Sequence, residues 1–176
     1  MGLDWNFVRI TPEQYTRLLS DPTLDTVEAI HNERFKERLQ YVHSPGDGDP
    51  PPISFDGIYH LGLRTDWDEL DTLMTFEEDD GPVLMWPLGN SGVKMPSLGE
   101  MTHLLNPEEV LLLAPTLQLL LDKYLDQRYR SMTEDLGEEA TELEELYPEL
   151  RECFNDLTGF VQTAAKNGEA ILWDLS

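Results

Sequence analysis

The chain has 176 residues, 40% of them hydrophobic, enough for one domain with a sizeable core and too apolar for the disordered class. Its 35 acidic residues against 12 basic ones give a net charge of −23, which repels nucleic-acid backbone and anionic membrane surfaces and favours a basic protein as partner. No apolar run reaches the length of a membrane span, and a single cysteine excludes an internal disulfide framework.

Met1 to Trp5 lacks the basic start and apolar centre of a secretory signal, so the expected location is cytoplasmic. Trp5 to Ile10 alternates as a strand with Trp5 and Phe7 on one face. Thr11-Pro12-Glu13-Gln14 is a helix start, with threonine as cap, proline in the first turn and glutamine completing a capping box. That helix reaches about Leu19 and stops near Ser20-Asp21-Pro22. A second helical pattern covers about Leu24 to Tyr41, with Val27, Ile30, His31, Phe35 and Leu39 facing inward. Its Arg34, Lys36 and Arg38 interleave with Glu33 and Glu37, the pattern of a solvated face.

Ser44 to Pro52 is a Pro/Gly/Asp loop by composition. A short strand is expected around Ile58 to Leu61, then a helix capped by Thr65-Asp66 that carries Trp67, Leu70, Leu73 and Met74. Glu77 to Gly81 ends it as an acidic turn, Val83 to Trp86 reads as a strand, and Pro87 to Gly99 reads as a loop. Thr102 to Leu105 looks extended and runs into Asn106-Pro107-Glu108-Glu109, where an asparagine cap and first-turn carboxylates start a helix. Pro115 is expected to break or kink it, with a further helix from about Thr116 to Tyr129. Residues 131–146 form an acidic insertion. Pro148 then opens a last helix whose apolar stripe runs through Leu150, Phe154, Leu157, Val161 and Ala164 and stops at Asn167-Gly168. Ala170 to Trp173 is apolar on both faces, the pattern of a central strand. The expected fold class is α+β: one domain of several helices around a small mixed or antiparallel sheet.

Chemical motifs are scarce. The chain lacks a phosphate-binding glycine loop, a zinc-protease helix and a nucleophile elbow; Ser91, between Asn90 and Gly92, belongs to a turn. Cys153 falls on the apolar stripe of the last helix, where a thiol is inert. His31, His43, His60 and His103 do not recur at metal-ligand spacing, so no catalytic residue, cofactor or metal is assigned. Tyr59, His60 and Trp86 are the candidates for lining a pocket.

The Trp67 helix, the glycine-bearing loop Pro87 to Gly92, Leu105-Asn106-Pro107-Glu108-Glu109-Val110, Tyr147-Pro148 and the Gly168 to Leu172 ending together resemble the YfbM-like family, a bacterial domain family of unknown function. The likeness is strongest after Met101, and these are capping and packing signatures. The Pro-rich loop at Ser44 to Pro52 and the acid-rich residues before Tyr147 depart from it. The resemblance implies a compact α+β domain and transfers no catalytic residue.

With carboxylates in excess and catalytic motifs absent, the leading expectation is a non-catalytic binding protein, for example an immunity protein neutralising a basic toxin. The candidate contact residues fall in two runs: Asp66, Asp68, Asp71, Glu77, Glu78, Asp79 and Asp80 in one, Glu138, Glu139, Glu142 and Glu144 in the other. The alternatives are an enzyme with its pocket at Tyr59, His60 and Trp86, and a mimic of nucleic-acid phosphates. No direct nucleic-acid binding and no membrane association are expected.

Overall fold

The computed structural model of the chain describes residues 4–42, 59–64, 67–84, 88, 91–137 and 140–175, without side chains for 4, 35–42, 64 and 67–69. The elements are β1 (Asp4–Ile10), α1 (Pro12–Ser20), α2 (Leu24–Val42), β2 (His60–Arg64), α3 (Trp67–Met74), β3 (Val93–Lys94), β4 (His103–Leu105), α4 (Pro107–Leu119), a π-helical turn (Leu120–Tyr124), α5 (Leu125–Leu136), α6 (Ala140–Asn167) and β5 (Ala170–Leu175). The fold is α+β.

All strand pairs are antiparallel, in the order β2-β1-β5-β4-β3, so the doubly apolar β5 occupies the centre. The pleat explains why this strand has no polar face. Ile171 and Trp173 join Trp5 and Phe7 against α3 to α6, while Ala170 and Leu172 join Val8 and Ile10 against Leu18 of α1 and Ile30 of α2. The sheet therefore lies between a pair of helices and a larger helical layer, and both of its faces are dry.

The helix starts follow the capping chemistry. Thr11 and Gln14 exchange backbone and side-chain hydrogen bonds at α1, as do Asn106 and Glu109 at α4. Helix α6 ends at Gly168, whose φ of 66° is the left-handed region that glycine enters without a Cβ clash. The Gly168 and Glu169 N–H groups there donate back to the Ala165 and Ala164 carbonyls.

Several expectations change. Pro148 lies inside α6, which begins at Ala140, because Ala140, Leu143 and Tyr147 continue the buried stripe upstream of it. The proline itself points to solvent, where its ring and missing N–H disturb no packing. Pro115 is likewise inside α4 on the exposed side, and the helical run continues through the π turn into α5 rather than starting again at Thr116. The acid-rich residues 131–146 belong mostly to the end of α5 and the first two turns of α6. Val83 and Leu84 form no strand; Leu84 instead donates its N–H to the Met74 carbonyl at the end of α3. The paired strand in this region is β3, within the stretch expected to be a loop. The strand expected around Ile58 to Leu61 is β2, two residues later, with Ile58 outside the described residues. The 44–52 loop, the Thr65-Asp66 cap and the side chains of Phe35, Leu39 and Trp67 also lie outside them.

Candidate functional site

The polar and charged side chains separate into those consumed by the fold and those left facing solvent. Arg128 is consumed most completely. It stands on the buried side of α5, 0% exposed, with its guanidinium aimed at the C-terminal end of α3. Its Nε and one NH2 group donate to both oxygens of Asp79 at 2.8 Å, while the other nitrogen donates to the Leu73 and Met74 carbonyls. A further bond reaches the Pro82 carbonyl at 3.0 Å, and the Tyr124 and Phe76 rings stand 5.5 and 6.0 Å from the guanidinium carbon. One cation thus satisfies carbonyls that α3 leaves open at its end and fixes the turn after it. That guanidinium holds the Asp79 carboxyl below the usual range; burial opposes the effect and the Gly81 N–H assists it.

This corrects one expected contact residue. Asp79 is an ion-pair partner, 9% exposed in its side chain, with both oxygens engaged inside the fold by Arg128. Its neighbours Glu77, Glu78 and Asp80 are exposed and form no ion pair among the described residues. Asp71 is half-buried on α3; Asp66, Glu138, Glu139 and the Asp68 side chain lie outside the described residues.

A second internal assembly joins β1, α2 and the start of β5. Glu169 accepts from Arg34 at 2.6 Å and pairs with Arg9 at 3.1 Å, all three nearly buried. Arg34 is therefore no part of a solvated face: α2 turns it inward because Glu169 waits there, directly after the α6 stop. A third assembly ties α5 to α6, where Asp126 accepts from the Tyr147 hydroxyl and from Arg151 and Tyr147 stacks on Tyr129. Burial first, then Asp126, pushes the Tyr147 hydroxyl far above its ordinary range, so it stays protonated.

What remains outside is a row of carboxylates along α6. Glu142, Glu145, Glu149 and Glu152 are exposed and Asp156 is half-buried, at alternating spacings of three and four that keep them on one face over about 21 Å. None of them is in an ion pair among the described residues. Their charges act on each other: the Asp156 carboxyl is pushed up by burial and then by Glu152. The half-buried Cys153 thiol is pushed up by burial and then by Glu149, Asp156 and Glu152. Glu144, also among the expected contact residues, is exposed but stands two residues from Glu142, nearly opposite it on the helix.

The expected pocket is only partly assembled. Tyr59 is half-buried and His60 exposed at the β2 edge, and Trp86 lies outside the described residues. His31 of α2 joins them, its ring centroid 6.4 Å from Tyr59 and 6.0 Å from His60. His60 Nε2 is 3.2 Å from Asn6 Oδ1. Nearby, burial raises the Asp174 carboxyl pKa and His31 opposes the rise. A groove of about 400 Å³ lies elsewhere, lined by Thr11, Glu13, Gln14, Arg17 and Glu33. Three of its polar side chains are tied to one another, since Glu33 accepts from Gln14 and from both terminal nitrogens of Arg17. Among the described residues no three His, Cys, Asp or Glu side chains converge as metal ligands, and no helix is long and apolar enough to cross a membrane.

Sequence reasoning missed Arg128, Arg9 and Glu169. A signal existed for the first: Leu121, Leu125, Arg128 and Met132 share helical phase, so a cation stood on a core stripe and demanded an anion.

A family described as a domain of unknown function, DUF1877, matches residues 1–173. The chain belongs to the DUF1877 family. No curated protein matches it significantly. Among solved structures, this DUF1877 chain is similar to YfbM from Escherichia coli, a protein of unknown function, at 15% identity and a TM-score of 0.53, with 100% of each chain covered. At that identity the likeness concerns the fold: the layered α+β arrangement is common to both, and no side-chain role passes between them.

Proposed function

We propose that this protein works by binding, without catalysis, and that its contact surface for a basic protein partner is the outward face of α6. The observation that carries the reading is the unpaired row Glu142, Glu145, Glu149, Glu152 and Asp156 on one rigid helix. Elsewhere the fold spends arginines on its carboxylates, at Asp79, Asp126 and Glu169, yet it supplies none here. Like charges held in a row cost stability, and a cationic partner removes that cost on contact. Lys and Arg side chains on the partner would pair with successive turns of α6, and the field of a −23 chain would speed encounter. Neutralising a basic toxin by covering its active face is one form such binding takes.

The test compares the wild type with Glu145→Lys/Glu149→Lys/Glu152→Lys as immobilised bait in lysate of the source organism. A specific partner should elute from the wild type as salt rises and be missing from the variant, whose fold circular dichroism confirms. A partner retained equally by both would remove the reading. Competition by duplex DNA for that partner would move the assignment to phosphate mimicry. The enzyme alternative rests on His31, Tyr59, His60 and Asp174; a small molecule whose binding shifts the imidazole NMR signals would favour it.

A further inference from the structure

Helix α4 and the turn after it run from Val110 to Leu121 without a charged residue, in a chain where 35 of 176 residues are acidic. Half of that stretch faces the core through Val110, Leu113, Ala114 and Leu117. The outward half carries the polar Thr116 and Gln118 but is mostly apolar: Leu111 is 61% exposed, Leu112 74% and Leu119 37%, with Pro115 exposed between them. A contiguous row of exposed leucines on a helix is ordinarily a contact surface.

The two ends of this face carry opposite charges. Glu108, Leu112, Pro115, Leu119 and Lys123 follow one another at spacings of four, three, four and four, so they form one outward row, and both charged ends are exposed. The row is acidic at its start and basic at its finish. Laid antiparallel on a copy of itself about a two-fold axis between Pro115 and Thr116, it sets Leu112 against Leu119 of the other copy. The same operation sets Glu108 against Lys123. Such a surface is self-complementary in shape class and in charge, the property an isologous interface requires.

We infer that α4 is the face through which two copies of this chain associate. The apolar row spans about 12 Å from Leu111 to Leu119, which places the interface at the small end of specific contacts, with a Kd of about 1–100 μM. Each copy carries −23, so general repulsion opposes the contact and added salt should tighten it. That sign is opposite to the one expected for a basic partner on α6.

Sedimentation equilibrium of the full chain over roughly 1 μM to 1 mM should show a monomer–dimer equilibrium. Leu112→Glu should raise Kd about tenfold or more by burying an unpaired carboxylate in the seam. Lys123→Glu should weaken it about three- to fivefold, and Glu108→Lys/Lys123→Glu should restore it by exchanging the two ends. All these positions are exposed, so circular dichroism should be unchanged in each variant; thermal unfolding should be unchanged for Leu112→Glu and Lys123→Glu and slightly earlier for the variant with Glu108→Lys, which puts a cation in the first turn of α4. A wild type that remains monomeric at the top of the range overturns the inference, as does a dimer indifferent to Leu112→Glu.

Discussion

Two acid-rich stretches of this chain look alike on paper and behave in opposite ways. Glu77-Glu78-Asp79-Asp80 follows α3, and Glu142 to Asp156 lies along α6. In the first, Asp79 is drawn under Arg128 and becomes part of the scaffold, tying the end of α3 to α5 through both of its oxygens. In the second, the carboxylates stay outside, and the nearest arginine on the helix, Arg151, is paired with Asp126 of α5 instead. The lesson is that an acid's role depends on whether a cation shares its buried surroundings, not on how many acids flank it. Asp79 contributes stability; the α6 row costs some.

The largest test of that contrast is Arg128→Met. It leaves the Asp79 carboxylate without its cation and the Leu73 carbonyl without its side-chain donor, and should lower unfolding free energy by about 3–5 kcal/mol. Glu149→Ala with Glu152→Ala should change it by no more than about 0.5 kcal/mol. Chemical denaturation of both variants checks the pair, and equal losses would erase the distinction.

Next in size is Gly81→Ala. A Cβ there would stand 2.6 Å from the Arg128 guanidinium, 2.7 Å from Tyr124 and 2.8 Å from Asp79, so the clamp must open to admit one methyl group. A loss of about 1–3 kcal/mol is expected in thermal unfolding. An unchanged melting temperature would mean that the clamp is looser than its geometry.

The smallest effect is a difference in pH dependence. Asp79 is held below its ordinary value of 3.8, so its contribution is present above that value and is lost as pH falls through the lower folded value. Asp156 is raised instead: the folded state holds its proton more tightly, and stability falls as pH rises from 3.8 through the higher folded value. Asp156→Asn should therefore stabilise slightly at neutral pH, by no more than about 0.5 kcal/mol, while steep acid unfolding below about pH 4 persists. Urea midpoints measured across pH separate the two carboxylates; destabilisation by Asp156→Asn at neutral pH would contradict the assigned repulsion.

The parts of the fold legible in the sequence are those set by near neighbours. Thr11-Pro12-Glu13-Gln14 and Asn106-Pro107-Glu108-Glu109 cap their helices within three residues, and Gly168 stops α6 by its own conformational freedom. The apolar runs of β5 and the C-terminal half of α6 announce burial through their period alone, because side-chain direction repeats with the backbone. Proline misled in both places where it was read as a boundary. At Pro115 and Pro148 the ring faces solvent, and tertiary burial of the rest of the helix outweighs one missing backbone bond.

What the sequence alone determined is therefore the class of fold, the central strand and an excess of carboxylates over cations. Only the tertiary structure decided which charges are free. Asp79 meets Arg128 across 49 positions of chain and Glu169 meets Arg34 across 135, so no local pattern could record either pairing. Each pair forms because a charge removed from water must find its opposite nearby, and proximity of that kind exists only once the helices have packed on the sheet.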